Sequence, residues 1–198
     1  MNPAVLKNLS YGMYVIGTKY NGRPNACVAN SVIQISSSDP EKVLIALTKD
    51  THSCTAIREN GIFTISVLST DTPASVIGAL GLVSGKNADK LKNIRHKVLI
   101  EGVPVVKENT CCWFLCKVIS GMDVGQEMVF AAEITAGSDS AIGTPMTYDF
   151  YRSEMHGLSP VGSPTYVPPE STFDKSSGES FVCSVCGYVY SDPNFSFE

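Results

Sequence analysis

Seven short segments near 12–19, 26–35, 43–48, 62–69, 97–106, 111–120 and 126–135 constrain what this chain can fold into. They are rich in β-branched and aromatic residues and bounded by Gly, Pro, Asn or Asp, which favour turns and interrupt ladders. Few stretches between them read as helix. Many short strands with few short helices predict a mainly β protein, a barrel or a sandwich. Val43 to Leu47 is continuously apolar, which predicts a strand buried on both faces. A first helix is expected to start after Asp50 or Thr51 and to end at Gly61, a natural left-handed terminator. A second opens at Thr72-Pro73, an N-cap followed by proline at the first helical position, and runs to about Val83. A short third helix is expected around Asp89 to Asn93.

The chain's 198 residues suffice for one substantial core and a small appendage. Hydrophobic residues at 43% and charged residues at 17% exclude both a disordered and a membrane-embedded chain. The start, Met-Asn-Pro-Ala-Val-Leu-Lys, has no basic stretch leading into an apolar run, and no segment approaches the ~20 apolar residues of a spanning helix. A cytoplasmic location without membrane attachment is expected. From Tyr166 onward five acids face one base, whereas the rest of the chain is balanced, so the tail carries the whole formal charge of −4. No basic patch with interleaved aromatics occurs, which argues against nucleic acid as a partner.

Residues 157–180 hold four prolines, six serines and three glycines in 24 positions, a linker composition. The chain thus divides into a body, 1–156, a linker, 157–180, and a cysteine-bearing tail, 181–198. Five of the seven cysteines, Cys27, Cys54, Cys111, Cys112 and Cys116, lie in apolar segments and read as reduced core thiols. The other two, Cys183 and Cys186, have C-x-x-C spacing and precede Gly187, which suits two thiolates gripping one tetrahedral metal. A closed site needs four ligands, so this one is incomplete by itself.

In the body, Leu47 to Ser53 leaves a strand and enters a helix, whose free amides and partial positive charge suit a phosphate. Lys49 adds a full charge, and Thr51 and Ser53 add hydroxyls. Ordinary capping and a solvated lysine would look the same. Ser84-Gly85-Lys86, leading to Lys90, reads as a second anion contact or as a plain helix-terminal turn. Asn30 and Ser31 fall mid-strand among apolar neighbours, where a polar pair needs partners. A planar heteroaromatic ring would supply them, and so would backbone. His52, His96 and His156 lack ligand spacing and read as surface or packing residues. No nucleophile–base signature occurs.

Taken in order, these pieces resemble one pattern. Gly12 to Thr18, Asn25 to Ile35, Pro40 to Leu47, the Lys49–Ser53 turn, Ser84-Gly85-Lys86 and Val124 to Ile134 are similar to the flavin reductase-like family. Its fold is an FMN-binding split barrel that commonly forms homodimers. Met146 to Arg152, His156 to Pro160 and Ser163 to Tyr166 resemble its flavoredoxin-type branch. The tail, with Phe181, Tyr188 and Tyr190 around the cysteines, resembles the first half of rubredoxin. The whole looks like a high-molecular-weight rubredoxin, with the second knuckle missing. Iron is then expected only if the Cys183–Cys186 site is completed in trans.

The resemblance implies that Asn30 and Ser31 contact the isoalloxazine edge, and that Lys49, Thr51 and Ser53 hold the phosphate or ribityl chain. Ser84, Gly85 and Lys90 would complete phosphate binding, and Tyr148 and Tyr151 would lie near the flavin. Family members typically carry Asp-His where Gln126-Glu127 stand here. NADH or NADPH would reduce FMN, which would pass electrons to a redox protein of rubredoxin or flavo-diiron type. Because the flavin carries that chemistry, no catalytic side chain is required. The alternatives are a flavoredoxin-like carrier without its own NAD(P)H activity and a non-redox FMN-binding module.

Overall fold

A computed structural model describes residues 3–86, 88–160 and 162–166, together with the backbone of 181–182 and 189–190. After a 3-10 helix, Pro3–Asn8, the chain forms β1 (Tyr14–Tyr20), β2 (Arg23–Ala29), β3 (Val32–Ser36) and β4 (Lys42–Thr48). Helix α1 (His52–Asn60), β5 (Ile62–Leu68) and α2 (Ala74–Gly81) follow, then a small hairpin of β6 (His96–Val98) and β7 (Pro104–Val106). A long hairpin, β8 (Thr110–Val124) and β9 (Glu127–Gly137), precedes α3 (Tyr148–Ser153). The fold is mainly β, as the strand pattern predicts, and has a few short helices.

Seven strands form one antiparallel sheet in the order β2-β1-β5-β8-β9-β4-β3. Its two edge strands, β2 and β3, are consecutive in the chain and separated only by Asn30 and Ser31. The three Cα–Cα steps from Ala29 to Val32 span at most about 11 Å, so the sheet must curl until its edges meet at that end. Its interior confirms the curl: Ile16 on β1, Phe63 on β5, Cys116 on β8, Phe130 on β9 and Ile45 on β4 share one buried cluster with Cys54 and Ile57 of α1. Neighbouring side chains of β1 alternate between faces. Val15 therefore enters a second cluster outside the barrel, with Leu68, Ile77 and Leu80 of α2, Val106, Met146, Tyr148 and Tyr151. This is a split barrel with helices closing it.

Local signals explain α1 well. Thr51 is extended, and its hydroxyl accepts from the amide of Cys54 at 3.2 Å; Gly61 ends the helix at φ 65°. Other expectations need correction. Asn30 and Ser31 do not sit mid-strand: they are the break between β2 and β3, at the split. The β4 strand is buried on one face only, through Val43, Ile45 and Leu47, while Leu44 and Ala46 are half-buried. Pro73, not Thr72, occupies the cap position of α2; the Thr72 hydroxyl instead donates to the carbonyl of Asn109 at 2.7 Å. Asp89 to Asn93 forms turns rather than a helix, with the Asp89 carboxylate accepting from the amide of Leu91 at 3.1 Å. The predicted strand over 97–106 is two strands joined by a turn through Gly102, φ 80°.

Of the tail, Phe181–Val182 pairs antiparallel with Val189–Tyr190. Cys183 and Cys186, between those strands, lie outside the described residues. No described helix is long and apolar enough to cross a membrane.

Candidate functional site

An apolar slot of about 290 Å³ opens at the split. Val28, Ala29, Asn30 and Ser31 form one wall, and Ala46, Leu47 and Thr48 of β4 continue it with Thr51. Ile77 and Gly81 from α2, Leu82 just after it, and Tyr148 and Tyr151 of α3 complete the lining. Thr147 caps α3 by accepting from the amide of Phe150 at 3.0 Å, which sets the two tyrosines on the slot side of that helix. Their rings lie 6.2 Å apart at 30°.

The slot has a cover that composition alone reads as linker. Residues Leu158 to Pro160 and Gly162 to Thr165 line it, and hydrogen bonds hold this strap to the body. Asn30 Nδ2 donates to Thr165 Oγ1 at 2.8 Å, and Thr48 Oγ1 donates to the Gly162 carbonyl at 3.2 Å. The Tyr148 hydroxyl bonds Ser159, whose own oxygen lies 3.2 Å from Thr165 Oγ1. The Tyr151 hydroxyl donates to the Leu158 carbonyl at 3.3 Å. Ser163, also lining the slot, has a buried hydroxyl without a hydrogen-bond partner among the described residues. A buried hydroxyl left unpaired is costly, so a planar ring bearing donors and acceptors suits this wall.

Further along β2 a second, wider cleft of about 920 Å³ opens. Arg23, Pro24 and Asn25 of β2, Tyr20, His52 and the residues Gly85, Lys86, Lys90 and Lys92 line it, with His96 and Asp89. The two cavities adjoin because three elements each contribute to both. Strand β2 gives Asn25 to the cleft and Val28 to the slot; the start of α1 gives His52 and Thr51; the stretch after Leu80 gives Gly85 and Gly81. Between them Asn25, 7% exposed, donates to Thr18 Oγ1 at 3.2 Å and to Ser53 Oγ at 3.1 Å. Gly85 packs so close that a methyl there would collide with Asn25 Oδ1 and lie 3.3 Å from the His52 ring. Glycine is what lets this loop approach β2.

The electrostatics follow from burial. Lys90 is anchored by donating to the Leu80 carbonyl at 2.6 Å, and burial lowers its pKa, while proximity to Cys27 opposes that. Burial also lowers His52, with Lys86 and Lys90 adding to the effect. Burial raises the Cys27 thiol, and Lys90 and a hydrogen bond with Ser53 pull it back. The body thiols are protonated at neutral pH and remain free cysteines, not disulfides. Among the described residues no cluster of His, Cys, Asp and Glu could hold a metal.

Of the residues singled out from sequence, Asn30, Ser31, Thr51, Tyr148 and Tyr151 line the slot, whereas Gly85 and Lys90 line the cleft. Ser53 is buried in the partition behind Asn25. Ser84 lines neither cavity and accepts from the Lys86 amide at 3.3 Å. Lys49 also lines neither: its ammonium pairs with Asp123 on the β8–β9 hairpin. Asn25, Arg23, His52 and the strap hydroxyls escaped sequence reasoning. The strap's Ser163 to Tyr166 motif was a visible signal, but its proline-rich context disguised it as spacer.

Comparison with known proteins agrees with this geometry. The flavin reductase like domain family matches residues 6–159. The high molecular weight rubredoxin of Moorella thermoacetica is 32% identical over 98% of this chain and 84% of its own length. A ferric-chelate reductase (NAD(P)H) of Archaeoglobus fulgidus is 28% identical over 84% of this chain and 98% of its own. The crystal structure of flavoredoxin from Methanosarcina acetivorans matches with a TM-score of 0.60 at 20% identity, covering 69% of this chain and 74% of that one. With the family match spanning the whole split barrel and the strap's beginning, the chain belongs to the flavin reductase-like family.

Proposed function

We propose that this chain is an FMN-dependent oxidoreductase that takes electrons from NADH or NADPH and delivers them to a redox protein. The observation that carries the reading is the junction along β2 of an apolar slot with a cationic cleft, a pairing suited to a flat ring joined to a phosphate. Asn30, Ser31 and the Ser163 hydroxyl would meet the ring's heteroatoms, with Tyr148 and Tyr151 beside it. Thr51 and Ser53 would face the ribityl chain; Gly85, Lys90, Ser84 and, once released from Asp123, Lys49 would serve the phosphate. A bound flavin supplies hydride acceptance and electron release. The protein's part is to hold the ring, exclude water through the strap and balance the phosphate charge.

The exposed Ile33 and Ile35 on edge strand β3, with Ile119, Met122 and Val124 on β8, form apolar surface that supports a homodimer. Cys183 and Cys186 would bind iron only when a second pair of thiolates joins them, with the tail serving as the electron outlet. On this reading, 1–156 is the flavin domain, 157–180 its connection and 181–198 a partial rubredoxin segment.

The test is the visible spectrum of the purified protein supplied with FMN. Oxidised-flavin bands that bleach on adding NADH or NADPH support the reading, whereas a colourless protein that takes up no FMN overturns it. The strap over the slot favours a second reading, a flavoredoxin-like carrier without NAD(P)H activity. That reading gains if FMN binds, NAD(P)H does not bleach it, and a reduced protein partner does. Inertness toward both donors would leave only a non-redox FMN-binding module.

A further inference from the structure

The strap is held in two different ways along its length. Its base is built onto α3. The Gly157 amide donates to the Tyr151 carbonyl at 2.8 Å, and Gly157 lies so close to the Tyr151 ring that a methyl there would overlap it. The Tyr148 and Tyr151 hydroxyls then bond Ser159 and the Leu158 carbonyl. Both tyrosines are buried, so the base sits on a fixed support.

The far part of the strap is attached more lightly. Pro160, Gly162 and Pro164 are exposed, and no strap residue belongs to either buried cluster. Its backbone bonds are internal: the Ser163 amide donates to the Pro160 carbonyl at 3.1 Å, and the Tyr166 amide to the Ser163 carbonyl at 3.0 Å. This part can therefore swing away without breaking them. Among the described residues two hydrogen bonds fasten it to the barrel, from Asn30 to Thr165 Oγ1 and from Thr48 to the Gly162 carbonyl. Segments with so little buried apolar contact open most readily.

The fastened strap leaves one polar group unmet. Asn30 lines the slot, yet its side-chain amide is engaged by Thr165. Ser163 also lines the slot, and its buried hydroxyl has no partner among the described residues. Leaving that hydroxyl unpaired is costly. A ring in the slot that offers an acceptor to Asn30 and a partner to Ser163 would reverse both conditions.

We propose that the far part of the strap is a self-inhibitory lid. In the empty slot Thr165 occupies the Asn30 donor; an entering flavin ring displaces it, and the lid re-closes over the ring through Ser163. The inference rests on the flavin-binding reading and adds regulation of that site. The empty protein is then competent to bind for only a fraction of the time, and its apparent affinity is reduced by that fraction. A passive cover would act with the opposite sign at Thr165, because loosening a cover weakens the hold on whatever lies beneath it.

The experiment uses the full chain and the variants Thr165→Val, Thr165→Ser and Ser163→Ala. Flavin-fluorescence titration gives the FMN affinity, and stopped-flow mixing gives the association rate. Thr165→Val should bind FMN about fivefold or more tightly, with a matching rise in association rate, because the competing acceptor is gone. Thr165→Ser keeps the hydroxyl and should behave as the parent. Ser163→Ala should bind about fivefold more weakly, through faster dissociation. The lid is overturned if FMN binds the parent but binds Thr165→Val no more tightly, or if Ser163→Ala matches the parent. FMN binding to neither the parent nor any variant would instead bring down the flavin reading, and the inference with it.

Discussion

The side-chain amide of Asn30 donates to the hydroxyl of Thr165 at 2.8 Å, joining the split of the barrel to a residue 135 positions later. The strap is therefore part of the site's wall, and the donor that would meet a ligand ring is already engaged by the protein. Thr165→Val removes this acceptor and the hydroxyl contact with Ser159 together. Each such hydrogen bond is worth about 1 kcal/mol, so losing both should make the strap open on the order of 10-fold or more often. Chymotryptic cleavage after Leu158 or Tyr166 is the measurement; an unchanged rate would mean that other contacts hold the strap.

Lys49 and Asp123 test how the charge near α1 is used. The Lys49 ammonium, with the Gly125 amide, holds the Asp123 carboxyl below the usual carboxylate range. If Lys49 turns to the phosphate on binding, Asp123→Asn should tighten FMN binding up to several-fold, while Lys49→Met should weaken it. Equal affinities for both variants and the parent would remove Lys49 from the site.

Gly85→Ala places a methyl against Asn25 Oδ1, inside the partition between slot and cleft. Asn25 is fixed by its bonds to Thr18 and Ser53, so the loop must retreat instead. FMN affinity should fall by about 10-fold or more, equivalent to about 1.4 kcal/mol, with little change in melting temperature. Parent-like affinity would show that the loop's closeness to β2 is irrelevant to binding.

Gly17→Ala should act on stability alone. A methyl at Gly17 would strike the Pro104 carbonyl and Thr64 Oγ1, where β7 lies against the barrel and Thr64 donates to that same carbonyl. Backbone on the receiving side cannot yield as a side chain can, so overpacking should cost about 1–3 kcal/mol. Thermal denaturation would read this as a loss of several degrees. No loss would mean that β7 is less tightly seated than the contact implies.

Burial pushes the Cys116 thiol up to about 12. Unfolding exposes it, and it then ionises near the ordinary value of about 8.5. Above that value the unfolded chain has released a proton that the folded chain still holds, so rising pH favours unfolding. This contribution is complete below about pH 8.5 and declines by about 1.4 kcal/mol per pH unit as pH approaches 12. Denaturant titrations from pH 8 to 11 should show the slope, and Cys116→Ala should flatten it. An unaltered slope in the variant would assign the effect to other groups.

Local features were legible in the residues. The β-branched segments marked most of the strands because they suit a half-buried pleated surface, and Thr51 and Gly61 marked α1 because caps act within a few residues. Asp89 to Asn93 misled because an Asx turn and a helix start share the same first residue type. Resemblance to the flavin reductase-like family was likewise readable in the order of short motifs along the body.

The site was decided elsewhere. Only the curling of the sheet brings edge strands β2 and β3 together and makes Asn30–Ser31 a split rather than a mid-strand pair. Only tertiary packing directs Lys49 to Asp123, 74 positions away, and lays a proline-rich stretch over the slot. Propensity and periodicity act over a handful of residues. A cavity is made by groups far apart in the chain, whose meeting depends on strand register, and register follows from burying both hydrophobic clusters at once.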